Sequence, residues 1–81
     1  MVIMSNNTYK TKDLGECAAL IVAKQQLINI ERLGSIRWFV FEDKEKCEKL
    51  GSQFFFGELL LNAREYYEAM VRVKNRIFSS S

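Results

Sequence analysis

The stretch FFFGELLLNAREYYEAMVRVKNRIF, from Phe54 to Phe78, decides the fold. It contains no proline, and no glycine follows Gly57. Apolar residues recur along it at alternating steps of four and three, which predicts a long helix from Glu58 to Phe78 with one narrow apolar seam. The residues of this seam are Leu59, Ala63, Tyr66, Met70, Val73 and Ile77.

A second apolar set lies beside the seam, at Leu60, Tyr67, Val71 and Phe78. Together the two sets are wider than the apolar face of an ordinary surface helix. Two interpretations remain open. In the first, one side of the helix packs on the chain's own sheet and the rest is partly exposed. In the second, which we favour because large exposed apolar patches are uncommon on monomers, the surplus meets a second copy of the chain or a groove on another protein.

Two alternating segments upstream of this helix predict a β-hairpin. Leu27–Leu33 (LINIERL) and Ile36–Glu42 (IRWFVFE) flank the turn residues Gly34 and Ser35. Large apolar side chains fall on both faces of the second strand. One face can take the first helix, and the other needs the long helix or a partner.

The N-terminal part of the chain predicts a short strand followed by a helix. Thr8 to Thr11 (TYKT) has strand propensity. Asp13 is a predicted N-cap, and Glu16 three residues later completes a variant of the capping box. We expect this helix to run from about Leu14 to Gln25. Its predicted inward face is Leu14, Cys17, Ala18, Ile21 and Val22.

Asp43 is the next predicted cap, before a short charged helix from Lys44 to Leu50. Gly51 is either the stop of that helix or a position through which it continues with a kink. The resulting order is β-α-β-β-α-α, an α+β fold with a small antiparallel sheet and a long C-terminal helix packed on it. We expect a single domain over residues 8–78, with flexible termini at 1–7 and 79–81.

Length and composition narrow the functional classes. A chain of 81 residues has a marginal core, so a partner subunit is an expected source of stability. The chain has no histidine and two isolated cysteines, Cys17 and Cys47, which predicts a protein without metal, cofactor or disulfide that is not an enzyme. The two cysteines and the lack of a signal segment favour the cytoplasm, and no apolar run approaches the length of a membrane span.

Basic residues support an alternative function. The net charge is only +2, with 12 Lys and Arg against 10 Asp and Glu, which is weak evidence for nucleic acid. The aromatic residues near the hairpin would nevertheless allow base stacking, although they are more easily explained as core. The candidate nucleic-acid-binding residues are Lys10, Lys12, Arg32, Arg37, Arg72, Lys74 and Arg76.

Three segments carry a resemblance to a known family: YKTKDLGE (Tyr9–Glu16), WFVFED (Trp38–Asp43) and FFFGELLLNAREYYEAM (Phe54–Met70). In them the chain resembles a family of small uncharacterised bacterial and phage proteins, known as a domain of unknown function. That resemblance implies no activity and no catalytic residues. It implies an origin in a mobile element or its host, and a protein that works by occupying a partner, such as an inhibitor of host defence machinery.

The sequence therefore predicts a small non-enzymatic interaction protein. We expect a homodimer formed through the seam, which presents its remaining surface to another protein. Nucleic-acid binding is the alternative, and we expect no contact with a membrane.

Overall fold

The computed structural model describes residues 7–79, and it confirms the α+β class. Its elements follow the predicted order, with three strands that form one antiparallel sheet and a C-terminal helix. They are β1 (Thr8–Thr11), α1 (Leu14–Val22), β2 (Leu27–Leu33), β3 (Ile36–Glu42), α2 (Lys44–Phe55) and α3 (Ala63–Ser79).

The sheet has the strand order β1-β3-β2, so the last strand in the sequence lies at its centre. β2 and β3 form the predicted hairpin, in which Leu33 pairs with Ile36 across a two-residue turn. Gly34 adopts a φ of 62° in this turn, a conformation that glycine tolerates better than other residues. Near its other end β2 changes register between Leu27 and Asn29, which leaves Ile28 as a bulge.

The core lies between the helices and one face of the sheet. It contains buried residues from all three helices and from β3: Cys17, Leu20, Phe39, Phe41, Cys47 and Val73. Because side chains alternate along a strand, Ile36, Trp38 and Val40 lie on the opposite face of β3. α3 packs mainly along α1 and contacts the core through Val73 and Ile77.

α1 is shorter than predicted and is buried on more than one side. It ends at Val22 rather than Gln25, because Lys24 adopts a φ of 72° and breaks the helical path. Of the predicted inward face, Cys17 and Ala18 are buried and Leu14 and Ile21 pack against the core, but Ala19 and Leu20 are buried as well, so burial is wider than predicted. The reason is that α1 has α2 and α3 as neighbours as well as the sheet.

The N-terminus of α1 corrects one further prediction. Asp13 is the N-cap, and its Oδ1 accepts from the Glu16 amide at 3.0 Å. The Glu16 carboxylate does not complete the capping box. It accepts instead from the hydroxyls of Tyr9 at 2.5 Å and Thr11 at 2.6 Å, which ties α1 to β1.

α2 continues through Gly51 to Phe55, which agrees with the second of the two alternatives for Gly51 and not with a stop at Leu50. Asp43 caps it as expected, with its Oδ1 accepting from the Lys46 amide at 3.2 Å. Gly51 is buried, and a Cβ there would lie 3.0 Å from the Tyr9 hydroxyl and closer still to the Glu16 carboxylate. The close approach of α2 to these two side chains therefore depends on glycine.

α3 begins at Ala63, so the predicted start at Glu58 is wrong. Gly57 has a φ of 74° and follows the end of α2. Asn62 begins the new helix, because its Oδ1 accepts from the Glu65 amide at 2.9 Å. Leu59 and Leu60 therefore lie in the connection and not on the helix. At the other end, Ser79 belongs to α3 rather than to a tail, while the predicted flexible residues 1–6 and 80–81 lie outside the described residues.

Candidate anion-binding groove

Several residues of the predicted self-association seam pack within the chain itself. Val73 is buried in the core and Ile77 packs against it. Tyr66 and Met70 are half-buried, whereas Ala63 is exposed at the start of α3. Leu59 is half-buried in the α2–α3 connection. Self-association through these residues stays a prediction, and the ones with most free surface lie toward the start of α3.

The second apolar set is more exposed than the seam. Leu60 is 94% exposed, and Tyr67 and Phe78 are also largely in solvent. Phe55 and Phe56 at the end of α2 are similarly exposed and contact each other edge to face, with ring centroids 5.0 Å apart. The sequence predicts exposed apolar surface beside the seam, where Leu60, Tyr67 and Phe78 lie, but it does not predict the exposure of Phe55 and Phe56.

The seven predicted basic residues divide between different surfaces. Lys10 points to the Val40 face of the sheet, where its Nζ lies 3.1 Å from Glu31 Oε1. Lys12 Nζ lies 5.9 Å from the centroid of the Trp38 ring, within cation–π range. Lys74 is exposed on α3. Lys10 and Lys74 line neither of the cavities described next, and Lys12 shares a separate cavity of about 300 Å³ with Arg37.

The four predicted arginines line two adjacent cavities between β2 and the C-terminal half of α3. The first, of about 460 Å³, is lined by Arg32, Arg37 and Arg76 together with residues of β2. The second, of about 380 Å³, is lined by Arg72 and Arg76. The two cavities share Arg76 and the β2 residues Leu27 and Ile30. We call this combined feature the arginine groove.

Local structure explains why the arginines converge. Arg32 and Arg37 are direct partners in the β2–β3 register, so their side chains emerge side by side on one face of the hairpin. Arg72 and Arg76 are four residues apart on α3 and therefore share a helix face. The docking of α3 beside β2 brings the two pairs together.

The four arginines of the groove form no ion pair with an acidic residue among the described residues. Among residues 7–79, ion pairs join Lys10 to Glu31 and Arg64 to Glu68, and none involves these four arginines. Arg32 donates from its Nε to the carbonyl oxygen of Gly34 at 3.2 Å, and this partner is neutral. Arg37 is half-buried, whereas the other three arginines are exposed. The result is a concentration of positive charge in a chain whose net charge is only +2.

The rest of the groove lining is apolar or amide-bearing. Its floor near Arg72 consists of Ile21, Leu27, Ile30 and Val73, with Gln25 and Gln26 at its border. No aromatic side chain lines either cavity among the described residues. Such a surface can hold an anionic group at one end and an apolar group at the other.

Neither cysteine is placed to act as a nucleophile. Cys17 is fully buried, and burial, reinforced by Glu16, raises its pKa to about 12. Burial, together with Asp43 and Glu16, raises the pKa of Cys47 to about 11. Both thiols are therefore protonated at neutral pH. Within residues 7–79, no three His, Cys, Asp or Glu side chains lie close enough together to hold a metal ion.

Sequence reasoning identified the arginines but not their neighbours. Gln25, Gln26, Leu27 and Ile30 were not predicted as part of a site. The signal for each arginine pair was present in the hairpin register and in the four-residue spacing on the helix. No local pattern indicates that α3 lies beside β2, because that depends on packing across α1.

No helix in residues 7–79 combines the length and the apolar character needed to cross a membrane. Comparisons with protein families, with curated proteins and with solved structures find no match to this chain.

Proposed function

We propose that this protein is a non-enzymatic interaction module that binds an anionic surface of another protein through the arginine groove. The observation that carries the proposal is the convergence of Arg32, Arg37, Arg72 and Arg76 without an acidic partner among the described residues. A groove of this kind gives a bound carboxylate several charge-assisted hydrogen bonds, which are the strongest that side chains offer.

The energetic cost of placing Arg32 opposite Arg37 indicates that these two residues do something other than stabilise the fold. Like charges directly opposite each other in a sheet are destabilising by up to about 1 kcal/mol. Arg32 and Arg37 form such a pair. Their juxtaposition costs stability in the free protein, and a bound anion would remove that cost. Binding therefore accounts for an arrangement that folding alone disfavours.

The resemblance to small bacterial and phage proteins fits this function. An accessory protein from a mobile element can work by occupying a partner's surface, and inhibition of host defence machinery is one such role. Self-association would be a second contact of the same module, formed through the exposed residues at the start of α3. Cytoplasmic location and independence from cofactors remain part of the proposal.

Nucleic-acid binding is the alternative, and the same four arginines favour it because guanidinium groups also bind phosphate. The wider distribution of charge weighs against it. Lys10 lies on the Val40 face of the sheet, where it is already paired to Glu31, and Lys12 lies outside both cavities of the groove, although it shares a third cavity with Arg37. The groove thus offers few phosphate contacts compared with the extended basic face of a typical nucleic-acid binder.

Titration with two polyanions tests the proposal. Poly-glutamate and single-stranded oligothymidine would each be added to the wild-type chain at about 50 mM and about 200 mM salt. We expect poly-glutamate to bind, and the double variant Arg32→Gln/Arg76→Gln to bind it at least about tenfold more weakly, because charged hydrogen bonds contribute about 1.5–3 kcal/mol each.

Lys74→Gln is the matched control. Lys74 is also an exposed base of α3, but it lines neither cavity. Equal losses in Lys74→Gln and Arg76→Gln would mean that only net charge matters and would refute the groove. Absence of poly-glutamate binding at low salt would also refute it. Tighter, groove-dependent binding of oligothymidine would establish the alternative.

A further inference from the structure

We infer that the partner segment is an acidic peptide that binds in extended conformation as an additional strand on the free edge of β2, with its side chains in the arginine groove. This inference rests on the proposed function and specifies the chemistry and the backbone geometry of the partner. Two observations carry it: the position of the groove along an edge strand, and the division of the groove into a basic and an apolar end.

β2 has a free edge in the sheet formed by the described residues, where β3 is its only neighbouring strand. In a two-residue hairpin the residues next to the turn form a hydrogen-bonded pair, and the direction of the backbone groups then alternates along the strand. Leu33 and Glu31 therefore point their backbone groups toward β3. Ile30 and Arg32 point theirs outward, toward the open edge.

The contacts of Ile30 agree with this geometry. Its amide donates to the side-chain oxygen of Asn29, its own neighbour in sequence, at 2.9 Å rather than to β3. A local side-chain acceptor of this kind satisfies an edge amide in the absence of a partner and can be exchanged for a strand. The outward groups of Ile30 and Arg32 form the template that strand addition needs.

The arginine groove lies on the side of β2 that faces α3, and it extends along the strand. Leu27 and Ile30 contribute to its apolar end, and Arg32 to its basic end. In an added strand, every second side chain would point into the groove. Its backbone would pair with β2 while those side chains contact Arg76 of α3 on the other wall.

This division predicts the pattern of the bound segment. Residues that face the groove would include one apolar side chain near Ile30 and acidic side chains near Arg32 and Arg76, at every second position. The intervening residues would lie on the Val40 face of the sheet. On that face Glu31 is already paired with Lys10, so the intervening residues of the peptide can be of any charge.

Nucleic acid fits the groove less well than such a peptide. Proteins that bind single strands stack bases on aromatic side chains, and the described residues place no aromatic ring in the lining of either cavity. The apolar floor of Ile21, Leu27 and Val73 is suited to an aliphatic side chain. Phosphates would satisfy the arginines but leave this floor and the β2 edge without a partner.

The test uses the full chain and three synthetic probes. The first is a peptide library about ten residues long, with leucine and two glutamates fixed at alternate positions and the other positions varied. The second has glutamine in place of both glutamates. The third keeps the glutamates but carries N-methyl groups on alternate backbone amides, which removes strand pairing and leaves the charge unchanged.

We expect the first probe to bind and each of the other two to bind at least about tenfold more weakly. Arg76→Gln should weaken the first probe by a similar factor, whereas Lys74→Gln should not. In addition, hydrogen exchange at the outward amides of Ile30 and Arg32 should slow when the first probe is bound, because strand addition protects them.

Different outcomes separate this inference from the function on which it rests. If N-methylation has no effect, or if the Arg32 amide is not protected, the peptide is held by charge alone and strand addition is refuted. If poly-glutamate binds through the groove but the first probe does not, the inference fails and the interaction module stands. If neither binds and oligothymidine does, both the peptide partner and the protein-binding function are wrong.

Discussion

The Tyr9 hydroxyl donates a 2.5 Å hydrogen bond to Glu16 Oε2, which joins β1 to α1 at a partly buried position. Thr11 donates to the other carboxylate oxygen at 2.6 Å and also accepts from the Asp13 amide at 3.1 Å. One carboxylate thus satisfies two hydroxyls that are partly or fully withdrawn from water. Gly51 of α2 lies against the same group.

Replacement of this carboxylate should be costly. We expect Glu16→Ala to lower the free energy of unfolding by about 2–4 kcal/mol, because it leaves both hydroxyls without their acceptor and opens space in the interior. Glu16→Gln keeps one acceptor oxygen and should lose less. Urea denaturation measures both values. Equal stabilities of the wild type and Glu16→Ala would contradict the structural role.

Gly51→Ala tests the contact between α2 and that group. In an exposed helix interior the change from glycine to alanine would stabilise by about 1 kcal/mol. Here we expect a loss of about 1–3 kcal/mol, because the added methyl meets a carboxylate fixed by two hydrogen bonds. Ser52→Ala, at the exposed next position, is the control. A more stable Gly51→Ala variant would show that the carboxylate can move aside.

The arginine pair of the hairpin should behave as a stability defect. We expect Arg32→Gln to raise the free energy of unfolding by roughly 0.2–1 kcal/mol at low salt, since it removes a like-charge pair from the β2–β3 register. Added sulfate should reduce the difference by binding to the wild type. Thermal melts with and without sulfate measure this, with Lys74→Gln for comparison. Loss of stability in Arg32→Gln would contradict the prediction.

Alkaline pH should destabilise the protein because the pKa values of the Cys17 and Cys47 thiols and of the Tyr9 hydroxyl are raised in the folded state. Burial raises the pKa of Cys17 from 9.0 to about 12 and that of Cys47 from 9.0 to about 11. Burial and then the hydrogen bond to Glu16 also raise the pKa of Tyr9. Above pH 9 the unfolded thiols lose protons that the folded ones keep. The folded state then binds more protons, and stability falls as pH rises.

Urea midpoints at pH 8 and pH 10 would measure this loss, since the interval spans the ordinary thiol pKa of 9.0. Cys17→Ala removes one of the groups and should show a smaller fall between the two pH values, even though the variant starts from a lower stability. Unchanged midpoints would show that both thiols ionise as readily in the folded protein as in the unfolded chain.

Self-association should depend on the exposed apolar residues near the start of α3. We expect light scattering to give a dimer mass that falls toward the monomer as the protein is diluted. Leu60→Ser/Tyr67→Ser should remain monomeric, since both side chains are largely exposed and their loss leaves the core intact. Leu50→Ser, at a half-buried position of α2 that packs against the core, is the control for general destabilisation. A monomer mass at every concentration would reject the dimer.

Local patterns predicted most of the elements. The bounds of β1, β2 and β3 match the prediction, because strand alternation and the Gly34-Ser35 turn are signals within a few residues. Asn62 with Glu65 three residues later is a similar signal for the start of α3. The periodic spacing of the apolar seam indicates an earlier start, at Glu58. The apolar residues Leu59 and Leu60 continue the helical spacing, yet Gly57 and Asn62 determine where the chain bends.

The site was predicted less completely than the fold. Charge alone identifies the seven basic residues in the sequence, and four of them meet because the C-terminal half of α3 borders the same cavities as β2. The course of α2 through Gly51 likewise depends on a contact with Glu16 that no spacing in the sequence indicates. Both features arise from packing between distant segments, which periodicity does not report.

The central position of β3 has a consequence for the order in which the protein assembles. β3 is the last strand to be synthesised, and among the described residues β1 pairs only with β3. While the chain emerges from the ribosome, β1 can therefore pair fully only after synthesis has reached Glu42, the partner of Thr8. The hairpin, whose pairs are close in sequence, would form first, and the N-terminal strand would dock onto its finished edge.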